Sequence, residues 1–160
     1  MPSRTGKMRA REFLFYTEDL ALAALPAAYP RPERRVMWMI LQFYWRNPAI
    51  HFELHPQPSR GRIELGLHFE GTLEQNEAWA ARVAAHADQV MADMGPEWEL
   101  EEWTASWRRL HRTYAFEELT AALGREVAAE MARAMQNLFA YAQPELEDPS
   151  ETAGLASAAV

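Results

Sequence analysis

A chain of 160 residues, 49% of them apolar, is long enough for one domain with a buried core. Its formal charge of −7 argues against a general nucleic-acid binder, whose affinity rests on neutralised phosphates. With no cysteine, disulfides, iron–sulfur clusters and thiolate zinc sites are excluded, which fits a reducing cytoplasm. The first residues, MPSRTGKMRAREF, lack an apolar signal core. The longest apolar run, Val36 to Trp45, is interrupted by Gln42 and too short for a bilayer. The expectation is a cytoplasmic protein with neither membrane nor nucleic acid as partner.

Residues 1–10 are expected to be a mobile N-terminus, 11–142 a single α+β domain, and 143–160, polar and small, a disordered tail. Glu12 to Tyr16 suits a short strand or a helix lead-in. Thr17 suits the N-cap of a helix EDLALAAL that stops at Pro26. PAAYPRP follows as a linker.

Residues 33–46 carry two patterns. Val36, Met37, Ile40, Leu41 and Tyr44 form a helical stripe between Pro32 and Asn47-Pro48, which are helix punctuation. MWMILQFYW is also rich in β-forming aromatics. We favour the helix. As a strand, the segment gives the order α-βββ-α-ββ-α, which resembles the layout of small secretion-chaperone-like folds in element order alone and assigns no residue a role.

The stretch IHFELHPQPSRGRIELGLHFE, residues 50–70, alternates strictly. Ile50, Phe52 and Leu54 oppose His51, Glu53 and His55; Ile63, Leu65, Leu67 and Phe69 oppose Glu64, Gly66, His68 and Glu70. Period-2 alternation marks a hairpin with one face on a core. Parity requires an even loop. A two-residue loop sets His51 opposite Glu70; a four-residue Pro58–Gly61 loop sets His51 opposite His68.

Thr72 and Gln75 form a capping box for a helix to about Met94, with Trp79, Val83, Ala87, Val90 and Met94 buried and Gly95-Pro96 at its end. Glu97–Trp103 and Trp107–Ala115 then form a second hairpin. Pairing Trp103 with Trp107 sets Glu101 opposite Arg109 and Glu102 opposite Arg108, so opposite charges meet across the strands. A last helix runs from about Glu117 to Ala142, weakened at Gly124.

The fold expected is a two-layer α+β domain: an antiparallel sheet of about four strands in two hairpins, helices on one face, order α-α-ββ-α-ββ-α. The other sheet face is polar. On it His51, His68, Glu53 and Glu70, with His111 as a further donor, offer nitrogen and oxygen ligands to a divalent metal such as Zn²⁺, Mn²⁺ or Fe²⁺. The bland alternative is a solvated face of His–Glu pairs. His51 and His55, roughly 13 Å apart at strand rise, cannot share one ion. Glu53, Glu64 and Glu70 have the composition of a glycosidase pair but nothing marks one as desolvated. The doubled His-x-Glu lacks the cysteines of the deaminase signature. Ser59 and Ser106 lie in turns, without a nucleophile motif. Trp103 and Trp107 bracket a turn and are candidates for a protein interface.

Two functions are therefore expected. The first is a non-enzymatic interaction or scaffold domain, with itself (a homodimer) or another protein as partner. The alternative is a metal-binding protein or metal-dependent enzyme built on the His/Glu cluster, with a divalent metal as its only cofactor.

Overall fold

A computed structural model describes residues 6–143. Residues 1–5, and 144–160 of the expected tail, lie outside the described residues. Met8, in the stretch expected to be mobile, is buried in the core, and its N–H donates to the Leu119 carbonyl.

Helix α1 spans Ala10–Ala24 without a break. Thr17 is therefore not an N-cap: it lies mid-helix, fully buried. The apolar stripe of Phe13, Leu14 and Ala21 extends the helix a full two turns further back than capping chemistry suggests.

Residues 33–46 are not a helix but a hairpin, β1 (Glu33–Met37) and β2 (Ile40–Tyr44), turning at Trp38-Met39. The burial decides between the two patterns. Leu41, Phe43 and Trp45 are buried, a period of two that a helix would scatter around its circumference. As a strand, this segment also pairs with the next one, Leu41 opposite Leu54 and Phe43 opposite Phe52. Unpaired N–H and C=O groups along that edge thereby find partners.

Strands β3 (Ile50–Gln57) and β4 (Arg62–Phe69) form the anticipated hairpin, joined by a Pro58–Arg60 turn and Gly61 at φ +60°. The four-residue loop is the one adopted, so His51 faces His68 and Glu53 faces Gly66. Thr72 caps α2 (Leu73–Ala85) in the expected capping box. The helix does not continue to Met94: it breaks at His86, and α3 (Ala87–Met94) restarts beyond it. His86 and Ala87 are exposed rather than part of the buried stripe.

Strands β5 (Glu99–Glu102) and β6 (Arg108–Ala115) pair in the expected register, Glu101 opposite Arg109 and Glu102 opposite Arg108. Helix α4 (Ala121–Asn137) starts at an N-cap of Thr120, later than expected, and α5 (Phe139–Ala142) follows. Gly124 does not break α4; it lets Tyr16 of α1 lie against the helix.

The sheet has six strands rather than four, in the order β1-β2-β3-β4-β6-β5, with all neighbours antiparallel. The two-layer α+β class holds. The inward sheet face carries Phe52, Leu54, Ile63, Leu65, Leu67 and Leu110, buried with Phe13, Leu14, Val127 and Met131 of the helices. No helix among the described residues is long and apolar enough to cross a membrane.

Candidate functional site

The outward sheet face was expected to be polar, and it is; it is not open. His51, Glu53, Glu64, His68, Arg109 and His111 all point there and are all buried. Cross-strand pairing brings them into rows: His51, His68 and Arg109 in one, Glu53, Gly66 and His111 in the next. Gly66 leaves no side chain between Glu53 and His111; a Cβ there would stand 2.6 Å from the His111 Cβ.

Trp103 closes the first row. Its ring meets the edge of His68 at a centroid distance of 5.0 Å, and the Arg109 guanidinium lies 4.7 Å above it. Only 1% of His51 and of His68 is therefore exposed. The Trp103–Trp107 turn is held from behind by Asn76. Its side-chain amide donates to the carbonyls of Gly71 and Ser106, and its oxygen accepts from the Gly71 N–H.

His51, Glu53, His68 and Glu70 form one cluster, with one ligand atom of each within 4.8 Å of all the others. His51 Nε2 lies 3.2 Å from Glu70 Oε2 and 3.5 Å from Glu53 Oε1. His68 Nδ1 is 3.1 Å from Glu70 Oε2, and its Nε2 is 3.7 Å from Glu53 Oε2. Donors bound at 2.0–2.2 Å around a tetrahedral ion stand about 3.4 Å from one another. The contacts here run through both nitrogens of His68 and both oxygens of Glu53, so one ion would take one atom from each and draw the set in from its 4.8 Å spread. Pro48 adds a further feature: its carbonyl lies 2.8 Å from His51 Nδ1 and takes that N–H, which turns Nε2 toward the carboxylates. Metal-binding imidazoles are commonly oriented in this way.

Sequence reasoning missed two residues beside the cluster, because both lie in the segment misread as a helix. Arg35 donates from Nε and Nη2 to Gln42 Oε1. This fixes which way the Gln42 amide points. Its NH₂ then donates to Glu53 Oε1 at 3.0 Å and lies 3.1 Å from His51 Nε2.

The charges on the face are arranged unequally. Glu64 faces Arg62 and Arg109, and Glu101 faces Arg109. Glu53 and Glu70 face imidazoles instead. Burial by itself lowers the His51 pKa, but hydrogen bonds to Glu53 and Glu70 outweigh it and hold the ring at about 9. Burial likewise raises Glu70, and the bonds to His51 and His68 overcome that, leaving it at about 2. Glu53 is lowered for the same reason. His55 sits opposite Glu64, outside the cluster, and burial lowers its pKa. His111, expected as a further donor, also lies outside; burial and then Arg109 lower it. Its Nε2 lies 3.0 Å from Glu101 Oε1, out of line for a hydrogen bond, and its Nδ1 makes none.

The cluster is reached from one side. Glu53 and Glu70 line a cleft of about 250 Å³, between Met37 and Ile40 on one wall and Trp103 and Trp107 on the other. Glu64 also lines it and is paired to Arg62 and Arg109.

Comparison with protein-family models, curated proteins and solved structures finds no match, so the functional argument rests on this geometry.

Proposed function

We propose that this domain binds one divalent transition-metal cation through His51, Glu53, His68 and Glu70. The observation that carries the proposal is the convergence of two imidazoles and two carboxylates within 4.8 Å, the imidazoles buried and the carboxylates lining a cleft. A buried and a half-buried carboxylate, Glu53 and Glu70, without a guanidinium beside them need positive charge, and a proton on His51 or a metal ion can supply it. A metal supplies more of it, and the mixed imidazole–carboxylate set suits Zn²⁺, Fe²⁺ or Mn²⁺.

The test is elemental analysis of untagged protein, together with thermal unfolding after chelation and after adding back Zn²⁺ or Mn²⁺. The expected result is one ion per chain and a higher Tm on metal addition. No bound metal and no Tm change with either ion would refute the proposal. Self-association is favoured by a separate observation, the exposed Trp38.

A further inference from the structure

Trp38 is 89% exposed at the tip of the β1–β2 hairpin. Its φ is +56°, a left-handed backbone in which a bulky side chain is disfavoured and which turns usually give to glycine or asparagine. The fold gains nothing from tryptophan there. Arg11 lies beside it, donating from Nη1 to the Trp38 carbonyl at 2.9 Å. The hairpin thus presents an aromatic knob with a positive flank.

The cleft over the outward face has complementary character. Its walls are Met37 and Ile40 against Trp103 and Trp107, and between them lie the carboxylates of Glu53 and Glu64 together with Arg60 and Arg62. Trp103 and Trp107 are each 37% exposed. At about 250 Å³ it is smaller than the roughly 300–1,000 Å³ typical of small-molecule sites. A carboxylate there accepts the hydrogen bond that a buried indole N–H needs.

We propose that two copies of the chain pair about a two-fold axis, with Trp38 of each entering the cleft of the other. Knob and socket share one hairpin, since Met37 and Ile40 flank Trp38-Met39 and form one wall of the cleft. One hairpin can therefore give and receive in the same contact, which is the condition for a closed, isologous dimer rather than an open chain of copies. The pairing does not depend on a metal in the cluster, although an inserted indole would cover the side on which Glu53 and Glu70 are accessible.

The test is sedimentation velocity on the untagged full chain, from low to high micromolar, with and without chelator. The variants are Trp38→Gly, Trp38→Phe and Trp107→Ala. The wild type is expected to dimerise, and Trp38→Gly and Trp107→Ala each to weaken this by at least about tenfold, as loss of a central aromatic anchor does. Trp38→Phe retains most of it. Glycine suits the backbone at position 38, so the Tm of dilute Trp38→Gly protein should not fall, which separates loss of the knob from misfolding. A monomeric wild type, or a Trp38→Gly variant that dimerises like it, would overturn the proposal. So would a dimer sensitive to Trp38 but not to Trp107, which would place the knob elsewhere.

Discussion

His51 and His68 face each other across β3 and β4, their rings stacked with centroids 5.5 Å apart and planes at 29°. Two imidazoles held this close on neighbouring strands, each within 3.7 Å of Glu53 or Glu70, would share one cation under the metal proposal. His51→Ala and His68→Ala should each abolish tight Zn²⁺ binding in a calorimetric titration, whereas His55→Ala, outside the cluster, should leave it intact. At a free metal concentration of 100 Kd the wild type gains about 2.7 kcal/mol of stability, and the two cluster variants gain none of it.

Stability of the metal-free protein should depend on pH in a defined sense. His51 is raised from 6.5 to about 9, so its contribution is complete below pH 6.5 and lost as pH rises through 9. Glu70 is lowered from 4.5 to about 2, so its contribution is present above pH 4.5 and lost as pH falls toward 2. Urea titrations should therefore find stability falling as pH rises from 6.5 through 9 and falling again below 4.5, with slopes of at most about 1.4 kcal/mol per pH unit from each group. Between these limits the lowered pKa values of His55 and His111 add a loss as pH falls below 6.5. His51→Gln removes the alkaline slope.

Gly124→Ala sets two effects against each other. Alanine improves helix propensity by about 1 kcal/mol. The new Cβ, however, would stand 2.8 Å and 2.9 Å from Cδ1 and Cε1 of the Tyr16 ring. Overpacking of this kind costs about 1–3 kcal/mol, so the variant should be less stable than wild type in urea unfolding. Gly124→Ala with Tyr16→Ala should recover part of the propensity gain.

Asn76→Ala should lower stability by about 1–3 kcal/mol, because the half-buried Gly71 and Ser106 carbonyls lose their donor. It also frees the turn that carries Trp103, so faster hydrogen exchange is expected around Thr104 to Trp107 and weaker shielding of His68.

What the sequence made legible follows its periodicities. The alternation from Ile50 to Phe69 is unbroken, so the buried face of β3 and β4 and the side carrying the His/Glu cluster could be read directly. Glu101 and Arg109 fixed the second hairpin by charge. The first hairpin was hidden because its turn, Trp38-Met39, contains none of the residues that usually signal one, and because Val36, Met37, Ile40, Leu41 and Tyr44 also satisfy a helix. Arg35 and Gln42 were lost with it. The closure of the polar face was equally invisible: that Trp103 lies on His68 depends on β5 and β6 coming to rest beside β4, a tertiary fact with no local signature.

The most direct test of the metal proposal is long-range ¹H–¹⁵N correlation of the histidine rings during a Zn²⁺ titration. Nε2 of His51 is predicted to move to a metal-bound shift while its Nδ1, held by Pro48, stays protonated; one nitrogen of His68 moves with it, and His55, His86 and His111 do not. Histidine spectra that stay unchanged through a molar excess of Zn²⁺, or a response confined to His55, His86 or His111, would contradict it.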